Sequence, residues 1–241
     1  MANAPRDSLQ MAYRLMRRRF GHQNWWPGET PFEVCVGAIL TQNTNWGNVE
    51  RAIQNLKREQ LMDPRKLFAL PESQLAELIR PAGYFNVKSR RLRSFLRVLV
   101  EEFDGSLDRM FQGETPAVRR RLLEIKGIGP ETADSMLLYA GGHTSFVIDA
   151  YTRRIFQRHE WCGPEASYGE LQSVCMAALD EKPSAERLDY WQDYHAQLVR
   201  VGKEFCRAGK PRCEHCPLKP LLPQACPETR PNSPSQVAAA S

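Results

Sequence analysis

Leu122 to Ala140 reads LLEIKGIGPETADSMLLYA. The pattern is helix, tight turn, helix. Apolar residues at helical spacing precede Gly127, and Pro130 suits the first position of a new helix because its missing N–H would be unpaired there anyway. Ile125, Ile128, Ala133, Met136 and Leu137 can pack the two helices together. The turn Gly127-Ile128-Gly129 leaves backbone N–H groups at a helix N-terminus, where the helix dipole favours an anion. Glycines let that anion approach without a Cβ in the way. The whole is a grip on a phosphate backbone that does not depend on base sequence.

Outward from this hairpin, helical periodicity dominates. It predicts helices over 6–20, 32–40, 48–61, 64–70, 73–80, 88–103, 116–125, 131–140, 151–159, 168–179 and 184–205, mostly separated by Gly or Pro. The apolar stretch 145–148 is the best strand candidate, but it is short and has no partner. The expected fold class is therefore all-α. The chain has 241 residues, with 42% hydrophobic and 25% charged, an ordinary globular composition with room for one large domain or two small ones. No apolar run approaches the ~20 residues that cross a bilayer, and the opening segment lacks an apolar leader core. No membrane partner and a cytoplasmic location are expected. The last stretch, 227–241, is rich in Pro, Ser, Asn and Ala and reads as a disordered tail.

Net charge is +5, and the basic residues cluster at 17–19, 88–93 and 119–121. Such clusters either form solvated helix faces or neutralise phosphates. After the hairpin, Phe146-Val147-Ile148 ends in Asp149, at an N-cap position before the helix AYTRRIFQR. The cap amides and the dipole would keep Asp149 ionised, and Arg153, one turn on, could hold it in place. A fixed carboxylate of this kind can stabilise an oxocarbenium-like sugar and orient a water toward it.

Of the seven cysteines, Cys35, Cys162 and Cys175 read as buried thiols. The other four are spaced Cys206-x6-Cys213-x2-Cys216-x9-Cys226, with Arg207, Lys210, Arg212 and Lys219 between them. Four thiolates suit either zinc or an iron–sulfur cluster. Zinc ribbons usually present two C-x2-C knuckles, and here there is one.

Gly-Ile-Gly, then Thr-Ala, then an apolar run ending in Asp, then a basic helix and a terminal cysteine group resembles the helix-hairpin-helix DNA glycosylase superfamily, on the endonuclease III branch. The resemblance covers most of residues 28–226. It implies two helical domains flanking a DNA-binding cleft. One is a helical barrel over 30–141 containing the hairpin at 122–140. The other is a helical iron–sulfur domain built from 1–29 plus 142–226. The resemblance further implies that Asp149 is catalytic, that Lys126, Gly127, Gly129 and Thr132 meet DNA, and that Cys206, Cys213, Cys216 and Cys226 hold a [4Fe–4S] cluster. The last spacing is longer than the family's usual one. Bifunctional members carry a lysine in the hairpin that attacks the sugar as a Schiff-base nucleophile. Here Glu131 stands in its place, which implies a monofunctional, water-using enzyme.

Asn24 to Pro31 (NWWPGETP) and Thr41 to Trp46 (TQNTNW) resemble the 3-methyladenine DNA glycosylase III branch. That likeness implies a base pocket of Trp25, Trp26, Pro27 and Trp46, with Lys203 beside it and Gln42 filling the gap that a flipped base leaves. Aromatic faces bind a cationic, N-alkylated purine well, and such a base needs little general-acid help to leave. The 3-methyladenine branch need not carry a cluster, so the chain combines features of two branches. The expected function is base release from double-stranded DNA carrying a damaged, alkylated purine, by a monomeric, nucleoid-associated bacterial enzyme. Two alternatives stand beside it: an endonuclease III-like glycosylase and lyase acting on oxidised pyrimidines, and a non-catalytic iron–sulfur protein that binds DNA.

Overall fold

The computed structural model describes residues 4–25 and 28–223, and among these there is no strand. The expectation of an all-α protein holds. The helices in chain order are α1 (Ala4–Phe20), α2 (Pro31–Leu40), α3 (Trp46–Arg58), α4 (Pro64–Ala69), α5 (Glu72–Leu78), α6 (Phe85–Glu101), α7 (Leu107–Met110), α8 (Thr115–Leu123), α9 (Pro130–Tyr139), α10 (Ala150–Arg158), α11 (Tyr168–Ala178) and α12 (Ser184–Glu204). The sequence reading missed only the four-residue α7 among them. Half of the helix starts carry a side-chain cap. Thr30, Asn45, Asp63, Ser106, Asp149 and Ser167 each cap a helix by accepting a backbone N–H on the side chain.

Two apolar cores form. One gathers Ile39, Ile53, Leu56, Leu92, Phe95, Leu96, Leu99, Val118, Leu122, Ile125 and Ile128 from α2, α3, α6, α8 and the hairpin turn. The other gathers Leu9, Met16, Phe146, Ile155, Phe156, Trp191, Tyr194 and Leu198 from α1, α10, α12 and the segment before α10. Helix α9 belongs to both: Met136 and Leu137 enter the first core, while Leu138 and Tyr139 enter the second. That double burial is why seven of the ten residues of α9 are buried, and it makes the second helix of the hairpin the joint between the cores.

Helix α12 is the spine of the second core, packing against α10, α1 and α9. Three of its buried polar side chains donate to distant backbone. Gln192 Nε2 donates to Leu138 O at 2.7 Å, Tyr194 OH to Leu9 O at 3.0 Å, and Gln197 Nε2 to Gly21 O at 2.7 Å. Asp193, buried on α12, accepts the Gln23 N–H at 2.7 Å and the Tyr13 hydroxyl at 2.9 Å. These bonds tie the segment after α1, which carries Trp25, onto the spine. A buried carboxylate with several donors is costly to unpair, so the position of this segment is strongly determined.

Candidate nucleic-acid and catalytic site

The hairpin places its glycines for two different reasons. Gly127 has φ +94°, and a Cβ there would stand 2.4 Å from Arg91 Cγ. Gly129 has an ordinary φ of −92° and open space where a Cβ would point. It caps α9 with no side-chain hydrogen bond to the first-turn amides, so those donors and the dipole are left for an anion. Gly129→Ala is therefore expected to leave thermal stability within ~1 kcal/mol while weakening binding to every duplex, damaged or not. Gly127→Ala should weaken both stability and binding. Fluorescence anisotropy with intact and lesion-containing duplexes, beside a thermal melt, separates the two, and a loss confined to damaged DNA would contradict a phosphate grip.

Gln42, in the loop after α2, is fastened to the hairpin. Its Nε2 donates to Thr132 Oγ1 at 2.9 Å and to Gly127 O at 3.3 Å, and Arg91 donates to its Oε1. Lys126 is exposed and lines a second groove of about 700 Å³ with Arg90, Arg91, Arg93 and Arg97. The basic run on α6 thus borders the hairpin and extends its positive surface.

Asp149 lies where the two cores meet. The segment leading to it is held by a buried knot around Asp134 of α9. Arg119 donates to both Asp134 oxygens at 2.8 and 3.0 Å, Ser145 donates at 2.5 Å and Tyr168 at 2.8 Å. Gln172 Nε2 adds a bond to Phe146 O at 2.8 Å. Asp149 then caps α10, its Oδ1 accepting the Thr152 N–H at 2.7 Å. Its Oδ2 lies 3.6 Å from His195 Nε2 on α12, and the Asp149 side chain is 14% exposed. Burial by itself would raise this carboxyl. His195 and the Thr152 donors outweigh burial and hold it below the ordinary carboxylate value.

Arg153 does not hold the carboxylate as expected. It turns away and donates to Ala166 O at 2.6 Å. The capping carboxylate folds back onto its own first-turn amide, and Arg153 finds a carbonyl in the loop before α11.

A cleft of about 930 Å³ opens over Asp149, its walls drawn from both cores. Trp25 lines it, its ring edge-to-face with Tyr139 at 5.5 Å and 6.3 Å from His195. Trp46 lines it too and packs over Gly37, where a Cβ would stand 3.3 Å from the indole. Gln42, Gly127, Gly129 and Thr132 belong to the same wall, and Lys203 is exposed on the wall formed by α12. Trp26 and Pro27 lie outside the described residues.

Glu131, one residue into α9 after Pro130, faces the same cleft. Desolvation first and the Asp149 charge second push its carboxyl up, while His195 acts the other way. Glu131 is nonetheless an exposed residue, so water screens that push, and Asp149 is the carboxyl the cleft encloses.

Among the lining residues that escaped the sequence reading are His195 and Tyr139. Tyr139 OH lies 2.7 Å from His195 Nδ1 and 3.2 Å from Gln192 O. The available signal was a histidine among the aromatic residues of α12, which on its own reads equally well as core packing.

In the terminal loop, Arg158 Nη1 donates to Cys206 Sγ at 3.3 Å. The Cys216 thiol is pushed up to about 11, first by burial and also by the nearby Cys206 and Cys213, while the Leu218 and Lys219 backbone donors act the other way. The three thiols thus share one neighbourhood with N–H donors aimed at sulfur. Among the described residues no group of three or more His, Cys, Asp or Glu side chains is assembled to hold a metal ion, and Cys226, the fourth expected ligand, lies outside those residues. Among the described residues no helix is long and apolar enough to cross a membrane.

Residues 36–180 match the model of the HhH-GPD superfamily base excision DNA repair proteins. The chain belongs to that family. It is 46% identical over 88% of its length to the Methanocaldococcus jannaschii protein "Putative DNA repair glycosylase MJ1434", covering 94% of that protein. It is 27% identical to endonuclease III of Thermotoga maritima, over 78% of this chain and 81% of the other. Among solved structures it is similar to the Helicobacter pylori 3-methyladenine DNA glycosylase MagIII bound to 1,N6-ethenoadenine. The TM-score there is 0.69 and the identity 28%, over 82% of this chain and 97% of that one. An endonuclease III–DNA complex superposes with a TM-score of 0.75 at 22% identity, over 90% and 94% of the two chains, which is a likeness of fold. As an HhH-GPD protein, the chain is a DNA repair glycosylase of the base excision class.

Proposed function

We propose that this glycosylase is monofunctional and removes an alkylated purine by hydrolysis. One observation carries the reading: the cleft pairs an ionised Asp149 with Glu131 at the hairpin position where a lyase would need an amine. A carboxyl cannot form a Schiff base with the sugar. An extruded cationic base would lie against the Trp25 and Trp46 rings, a contact contributing ~0.5–2 kcal/mol. Asp149 would then face the sugar as positive charge develops on it and orient the water that completes the exchange. The cleft volume accommodates one purine with room for that water. The likeness to a 3-methyladenine glycosylase supports the substrate class.

The test is direct. Duplexes carrying 3-methyladenine, 7-methylguanine, uracil or thymine glycol are incubated with the enzyme, free base is measured, and borohydride is added to a parallel set. Release of methylated purines with no trapped adduct is expected. Release of thymine glycol with a covalent adduct would replace this reading with the lyase one, and Lys203, which also lines the cleft, would then be the amine to examine.

We further propose that Cys206, Cys213, Cys216 and Cys226 hold a [4Fe–4S] cluster. The donor chemistry fits, since Arg158 donates to the Cys206 sulfur and the Leu218 and Lys219 backbone N–H groups face the Cys216 sulfur. Bound there, the cluster would be structural, crosslinking the loop that carries Arg207, Lys210 and Arg212 so that it faces DNA. Anaerobically purified protein should be yellow-brown with about four irons per chain, and Cys213→Ser should bleach it. A colourless protein with stoichiometric zinc would overturn the assignment.

A further inference from the structure

His195 is buried at 5% exposure, and its Nε2 has no hydrogen-bond partner among the described residues. An unpaired buried polar atom is rare enough to need an explanation. This one is aimed at Asp149 Oδ2, 3.6 Å away, while the other carboxylate oxygen is already engaged by Thr152.

The proton arrangement follows from Tyr139. Burial first, then the Asp149 and Asp193 charges, raise the Tyr139 phenol well above its usual value, so it keeps its proton. If that proton goes to His195 Nδ1, the ring hydrogen of the neutral imidazole sits on Nε2. If it goes to Gln192 O instead, Nδ1–H donates to the phenol oxygen, and a bare Nε2 would then point its lone pair at a carboxylate. That repulsion disfavours this tautomer and favours the first, in which an N–H faces Asp149. The titratable groups around the ring are Asp149, Tyr139 and Glu131 from other elements, and Trp25 closes one side.

We propose that His195, held by Tyr139, is a positioning residue for the reaction: its Nε2–H fixes the second oxygen of Asp149, so that the carboxylate cannot turn away from the sugar. This rests on the reading that Asp149 acts in base release. With Thr152 alone the carboxylate could swing about one anchored oxygen. A second donor from α12 removes that freedom, and misplacement of a reacting group by about 1 Å can cost on the order of 10²-fold.

The experiment compares His195→Leu, which keeps bulk without a donor, with His195→Gln, whose amide N–H can reach the Nε2 position. Single-turnover base release, KM, affinity for lesion duplex and thermal stability are measured, each also in the Asp149→Asn background. We expect His195→Leu to lower kcat about 10–100-fold with KM and affinity unchanged, and His195→Gln to recover most of it. His195→Leu should add no further loss to Asp149→Asn. An unchanged kcat in His195→Leu overturns the proposal, as do equal losses in Leu and Gln variants or additive losses in the double variant. Should His195→Leu fail to fold, Tyr139→Phe keeps the ring packing and removes only the hydroxyl that orients the imidazole. Its kcat should fall at constant KM, and an unchanged kcat overturns the proposal. Full activity in Asp149→Asn alone is a separate outcome, which would instead remove the underlying reading of the site.

Discussion

Asp149→Asn is expected to cut single-turnover base release by on the order of 10²–10³-fold while the protein remains folded and binds duplex DNA. Asparagine caps helices about as well as aspartate, so the Thr152 bond and the start of α10 survive. What disappears is the negative charge that, on the proposed mechanism, faces the sugar. Because the Asp149 carboxyl is held below its ordinary value, the charged form persists through the neutral and mildly acidic range. Its own contribution to the acid limb of activity lies below about pH 4. The linkage has the same sign: the stability it supplies is present above the unfolded-state value and is lost as pH falls through the lower folded value. A rapid-quench assay with a methylated duplex, paired with anisotropy, measures both quantities. Near-normal release by the variant would mean that another group carries the chemistry.

Asp134→Ala is expected to destabilise the fold by about 3–5 kcal/mol, the cost of breaking a buried charge pair. Asp134 is fully buried and receives four hydrogen bonds from three side chains. Removing it strands the Arg119 guanidinium and two hydroxyls, each unpaired polar group costing a further ~1–3 kcal/mol if water cannot reach it. Against a total of roughly 5–15 kcal/mol for a domain, this is a large fraction. Ser145 and Tyr168 also brace the segment that delivers Asp149, so the folded remnant should be slow as well as unstable. Urea melts read the midpoint, and a loss under ~1 kcal/mol would show that the knot is not structural. Asp134→Asn, which keeps the shape and part of the bonding, should lie between the two.

The helices were legible because periodicity and caps are local. The predicted spans agree with the observed ones to within a few residues, and six helix starts carry the side chain that capping chemistry requires. The hairpin was legible for the same reason, and so was the N-cap position of Asp149. Arg153 was misread because the rule applied to it was also local. Four residues along a helix suffices for an ion pair, but a nearby loop carbonyl competed and won. His195 was not legible at all. It stands 46 positions from Asp149 (195 minus 149), and its neighbours on α12 give it the look of a core residue.

By itself, then, the order of residues determined a helical protein with a glycine hairpin and a carboxylate at the head of α10. Those features depend on interactions that reach no further than about one helical turn. Which group faces the second oxygen of that carboxylate, and which aromatic rings wall the cleft, was decided only when α12 and the segment after α1 packed onto α9 and α10. Forces between charges and rings depend on distance in space, and separation along the chain carries almost no information about it.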